Sequence, residues 1–110
     1  MTIQELLKNY DFHDSLIEQI EYDASRHQLK FFIDFCFWMQ KDYDSSQPET
    51  GLITLIFNNV ASYDGIQGDI DAFSILDISV IENTSHITIE DDFNRNIYTL
   101  TIKSIDVNLM

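Results

Sequence analysis

Leu29-Lys30-Phe31-Phe32-Ile33-Asp34-Phe35-Cys36-Phe37-Trp38 is the most strand-like stretch of the chain, and the fold class follows from it. Every odd position from Leu29 to Phe37 is apolar, while Lys30, Asp34 and Cys36 alternate with Phe32 and Trp38 at the even ones. A period of two puts successive side chains on opposite faces of an extended backbone. The stretch therefore predicts a strand with one buried face and a second face partly covered.

Upstream, the period is helical. Thr2-Ile3-Gln4-Glu5 has the form of a capping box, and Ile3, Leu6, Leu7 and Tyr10 follow at helical spacing, so a short helix should end near Asn9 to Asp11. Ser15 to Tyr22 returns to a period of two, with Leu16, Ile20 and Tyr22 on one face and Glu18 as the exception. Asp23 to His27 is a polar turn. Downstream, Met39 to Thr50 holds the only proline and reads as the longest loop. Leu52 to Phe57 is a near-continuous apolar run, expected to be a central strand buried on both faces. Asn58 to Asp71 carries two of the 3 glycines and reads as a second irregular segment. Phe73 to Glu82 alternates, with Leu76, Ile78 and Val80 on one face. His86 to Phe93 and Ile97 to Val107 form a hairpin around Asn94-Arg95-Asn96, a tip suited to positive φ.

These segments predict an α+β fold, a short N-terminal helix packed on a strongly curved, mainly antiparallel sheet or open barrel of about six strands. No repeat or linker divides the chain, so residues 1–110 form a single domain. A domain of this length buries roughly two thirds of the surface its unfolded form exposes. Apolar residues make up 45% of the chain, enough for one packed core, and the acidity must then lie on its surface.

That acidity is large: 19 Asp and Glu against 6 Lys and Arg give a net charge of -13. Lys8, Arg26, Lys30, Lys41, Arg95 and Lys103 are scattered singly, which disfavours nucleic acid and anionic membrane surfaces, since both are held by clustered cations. A field of this sign attracts a cationic protein and can raise association rates by roughly 10 to 10³ at low salt; it also serves plain solubility. The single Cys36 excludes an internal disulfide and fits a reducing cytoplasm. The N-terminus shows no basic segment followed by an apolar stretch, so no secretory signal is expected.

Candidate chemistry is sparse. His13-Asp14 invites comparison with metal-dependent hydrolases, but an adjacent pair needs further ligands, and Asp14 also suits a backbone-bonding role between helix and strand. Asp64-Gly65-Ile66-Gln67-Gly68-Asp69-Ile70-Asp71 sets three carboxylates around two glycines without the spacing of an EF-hand, and Glu90-Asp91-Asp92 ends a strand where charge blunts an exposed edge. Asp42, Tyr43 and Asp44 form a third acidic patch. Cys36 lies between phenylalanines and reads as a buried thiol. Trp38, Met39, Tyr43 and Tyr63 sit at or near the long loops, as anchors for a partner or as ordinary rim packing. No phosphate loop, zinc-type cysteine pair or Gly-x-Ser-x-Gly elbow occurs. The residues therefore point to no catalytic site and no cofactor.

The order Asn-Tyr-Asp-Phe-His-Asp-Ser (Asn9 to Ser15), Leu16-Ile17-Glu18-Gln19-Ile20, a strand over Leu29 to Phe35, then Ile56-Phe57-Asn58-Asn59-Val60 resembles small bacterial proteins bearing a His-Asp-Ser signature. They are similar to the immunity protein 50 and YxiG-like families of polymorphic toxin systems. The likeness covers about the first 60 residues and part of the second half. It implies a cytoplasmic protein that neutralises a toxin without catalysis of its own, and it carries over no binding residues. The residues give this reading a contact region: Asp64, Asp69 and Asp71, then Glu90, Asp91 and Asp92, with Asp42, Tyr43 and Asp44 as a third patch. The alternatives from other classes are a small metal-dependent hydrolase using His13 and Asp14, and a self-associating domain in which Phe32 and Trp38 pair two copies. The chain is thus expected to be a monomer or homodimer.

Overall fold

A computed structural model describes residues 1–110. One α-helix, α1 (Ile3–Asn9), is followed by eight strands: β1 (Leu16–Asp23), β2 (Gln28–Cys36), β3 (Thr50–Asn58), β4 (Tyr63–Asp64), β5 (Gly68–Ile81), β6 (Thr84–Asp91), β7 (Ile97–Ile102) and β8 (Asp106–Leu109). The strand expected to run to Trp38 stops at Cys36, where Phe37–Met39 turns as a 3₁₀ helix. They form one antiparallel sheet in the order β4-β7-β6-β5-β1-β2-β3-β8. The sheet is open, and it has eight strands where the periodicity suggested about six. The two additional strands have local causes. Ser104 interrupts the predicted Ile97 to Val107 strand, separating β7 from β8, and the expected irregular segment Asn58 to Asp71 contributes β4 and the start of β5.

Thr2 caps α1, its hydroxyl accepting from the Glu5 amide at 3.2 Å and donating to the Glu5 carboxylate at 3.2 Å. Ile3 and Leu6 are fully buried. In β2 the predicted alternation holds, with Leu29, Phe31, Ile33 and Phe35 all at the centre of the core. Edge-to-face contacts of Phe35 with Phe12 and Phe37, and of Phe31 with Phe57, fix the aromatic packing.

Three strand faces differ from the sequence pattern. In β1 the pairing slips between Ile17 and Gln19, so Ile17 enters the core in place of Leu16, while Ile20 is buried and Tyr22 packs against the core on the expected face. Glu18, the exception in the pattern, is the extra residue of a bulge. In β5 a second slip between Ile75 and Asp77 moves Leu76 off the core face and buries Ile75. In β3 burial on both faces is confined to Leu55, Ile56 and Phe57; Leu52, paired with Asp34 on the face away from the core, is 74% exposed.

Connectivity dictates how far the sheet curls. β7 and β8 lie six strand spacings apart in the order, about 29 Å in a flat sheet. Yet only Lys103, Ser104 and Ile105 join them, a link spanning at most about 14 Å from Ile102 to Asp106. The sheet therefore coils until its ends meet, and Leu100 and Ile102 of β7 join Leu55, Phe57 and Val107 in one core cluster. Polar groups stitch the seam. The Ser104 hydroxyl donates to the Asn58 carbonyl and accepts from the Asp106 amide, and the fully buried Ser85 hydroxyl donates to the Ser104 carbonyl at 3.1 Å. Ala61 and Lys103 exchange a further bond at 3.0 Å.

Replacing Ser104 by Ala leaves the Asn58 carbonyl and Asp106 amide without that partner and should lower stability by about 1–3 kcal/mol. Urea unfolding checks it: the midpoint falls with the slope unchanged.

Candidate functional site

The slip in β1 also organises charge. Ile17 pairs with Phe73 and Gln19 with Asp69, so a single residue, Glu18, lies opposite Ile70, Asp71 and Ala72 of β5. Ala72 takes a left-handed backbone (φ 51°), which L-residues avoid by about 1–2 kcal/mol, and its carbonyl accepts from the Asp92 amide at 2.9 Å. Register thus gathers Glu18, Asp69 and Asp71 on one bulged patch and sets Asp92 at its border. Glu18, Asp69 and Asp71 are exposed and have no cationic partner. Glu90 borders the patch but is paired with Arg95 at 3.2 Å, and both oxygens of Asp92 accept from the Ser74 hydroxyl, at 3.0 and 2.9 Å. No three His, Cys, Asp or Glu side chains anywhere converge closely enough to hold a metal ion. The carboxylates of the patch are spread as a surface.

The other residues singled out by sequence go elsewhere. Asp91 is 7% exposed, and its carboxylate accepts from the Phe93 amide at 2.9 Å and the Asn94 side chain at 3.0 Å, holding the β6–β7 turn whose left-handed residue is Arg95 (φ 60°). Asp64 pairs with Thr101 on the short outer strand β4, away from the bulge. Tyr63 beside it packs edge-to-face on Tyr22 and donates its hydroxyl to the Ile66 carbonyl. Burial, with the Asp64 charge adding to it, pushes the Tyr63 phenol well above its usual range. Asp42, Tyr43 and Asp44 form a separate loop after β2, closed on itself by the Ser46 amide donating to Asp44 at 3.0 Å and the Tyr43 hydroxyl donating to the Gln47 carbonyl.

His13 and Asp14 face each other at 3.3 Å, both about half exposed. Asp14 has φ 66°, and its amide donates to the Ile75 carbonyl, so it turns the chain from helix into sheet. The residue of greatest structural weight in this triplet is the fully buried Ser15, whose hydroxyl accepts from the Cys36 amide at 3.1 Å. Desolvation raises the Cys36 thiol above its normal value, keeping it protonated and unreactive. Gln40, unmarked by any sequence pattern, clamps the exit of α1: its amide group donates to the Asp11 and Cys36 carbonyls and its oxygen accepts from the Asp11 amide. His13, Lys8, Lys41, Asp11 and Asp77 line a cleft of about 650 Å³ there, between the end of α1 and β5.

No protein-family model matches the sequence, and no curated protein or solved structure matches the chain. No helix is long and apolar enough to cross a membrane.

Asp91→Ala should destabilise the protein by about 1–2 kcal/mol, because it removes the carboxylate that accepts from the Phe93 amide and the Asn94 side chain; thermal unfolding measures it. Tyr63 sets an alkaline limit. Its proton is held more tightly folded than unfolded, so its contribution is complete below about pH 10 and declines as pH rises further. Tyr63→Phe should be less stable at neutral pH by about 1 kcal/mol and lose less stability than the parent between about pH 9 and 11.

Proposed function

We propose that the chain is a non-catalytic acidic binding protein of the immunity type, which occludes the functional surface of a cationic protein such as a basic toxin domain, a nuclease included. The observation that carries this reading is the register of β1 on β5. It brings Glu18, Asp69 and Asp71 to one bulged stretch of the β1–β5 ladder, unpaired with any cation, in a molecule of net charge -13. Grouped like charges cost the free protein stability through self-repulsion, and the cost is relieved when a cationic surface lies against them. The three side chains are already solvated at the surface, so a partner's Lys or Arg meets them without dehydrating a buried ion. Glu90 and Asp92 extend the negative rim, while Asp42, Tyr43, Asp44 and Asp64 contribute only to the wider field that steers encounter. Asp91, turned into its own hairpin, supports the rim from behind. The reading places the protein in the cytoplasm, where the lone Cys36 stays a thiol.

Capture from a lysate of the native cell, followed by identification of the bound protein, tests the proposal. The combined variant E18Q/D69N/D71N should melt no lower than the parent, as self-repulsion is relieved, and lose at least tenfold in association rate at low salt. Wild-type affinity should weaken steadily as NaCl is raised from about 0.05 to 0.5 M. A captured partner whose binding ignored both the variant and the salt would show that the acidic patch is not its contact.

A further inference from the structure

From Phe93 to Ile105 the sequence has no acidic residue and carries Arg95 and Lys103. This segment contains β7, and around it lie the exposed apolar side chains Phe93 (75%), Ile97 (62%) and Tyr98 (38%), the last stacked on Phe73 at 5.9 Å. β7 is covered on its outer side only at Thr101 and Ile102, by the two-residue β4. The direction of the backbone groups along β7 follows from its neighbours. Lys103 exchanges bonds with Ser62 and Ala61 on the outer side, whereas the Asn96 carbonyl accepts from Asp91 on the β6 side. The β6–β7 register has no slip, so alternation turns the amides and carbonyls of Ile97 and Thr99 outward, where no backbone group meets them.

We propose that this open edge is a dimerisation surface, and that its occupant is β7 of a second copy of this chain, paired antiparallel about a two-fold axis at Tyr98. Ile97 then pairs with Thr99 of the other copy and Thr99 with its Ile97, which satisfies all the outward groups of both strands at once. Tyr98 meets Tyr98 across the axis in the close, non-hydrogen-bonded position that favours aromatic pairs. The ladder ends at these pairs, because the outer side of Thr101 is already taken by Asp64 of β4. Charge also favours this edge: Phe93 to Ile105 contains no carboxylate and offers apolar side chains, and Glu90, opposite Ile97 on β6, is paired with Arg95. The surface is separate from the Glu18–Asp71 patch, and its salt response has the opposite sign. Screening relieves the repulsion between copies, so dimerisation strengthens as salt rises, whereas binding of a cationic partner weakens.

Sedimentation equilibrium of the purified chain from about 10 to 500 μM, at about 0.05 and 0.5 M NaCl, reads the outcome. A reversible monomer–dimer equilibrium, shifted toward dimer in the higher salt, is expected. Thr99→Pro removes only an outward amide, which an edge strand tolerates, and should leave a folded monomer. Ile97→Lys places a charge on the same edge, keeps every backbone group and should give the same result if the proline variant does not fold. A wild-type monomer throughout this range would overturn the proposal, as would a dimer indifferent to both Thr99→Pro and Ile97→Lys.

Discussion

Three residues between β7 and β8 constrain everything else in this protein. A link as short as Lys103–Ile105 cannot cross a flat sheet of this width, so the sheet must coil until β7 and β8 lie near one another. Coiling lets a chain with a single two-turn helix enclose a core, because the sheet covers its own inner face. The seam this creates lacks a continuous strand ladder, and the serines at 85 and 104 supply the bonds that a ladder would have made. They are buried because both ends of the sheet press on them.

A sheet bent this sharply needs places to yield, and the two register slips are those places. Each adds a residue to one strand and re-aims its neighbours. In β1 the added residue is Glu18, which turns a mechanical necessity into a chemical feature by setting one more carboxylate against those of β5. The acidic patch is therefore a by-product of curvature that the sequence fills with charge. The β7 edge is its counterpart, a strand left open because β4 is too short to cover it and without the carboxylates that crowd the rest of the chain.

Much of this architecture is legible in the residues, for definable reasons. Strands with strict alternation, β2 above all, and the capped first helix were predictable because local pattern and tertiary burial agree there. Slips in register were not, since a bulge reads as a break in the pattern and periodicity alone cannot say on which side it resumes. Glu18 and Leu76 are both such residues. The division of Ile97 to Val107 was hidden for a related reason: Ser104 sits at an alternation-compatible position, and only the three-dimensional seam explains its burial. For the candidate site, sequence supplied the carboxylates but not their neighbourhoods. Asp91 and Asp92 are adjacent in the chain, yet one is consumed by a turn and the other borders the patch. Glu18, 51 residues before Asp69, joins Asp69 and Asp71 only through pairing.

The placement of β8 has a further consequence, for how the molecule comes into being. Asp106–Leu109 lies between β3 on one side and the first residues of the chain on the other, where Met1 and Ile3 exchange bonds with Val107 and Ile105. During synthesis, Met1–Ile3 and α1 must wait for these later residues before they have anything to dock on. Until Asp106–Leu109 emerges, the flank of β3 and the underside of α1 stay uncovered. Docking of α1 is then a late step of folding, and a nascent chain stalled short of β8 is a natural client for chaperones.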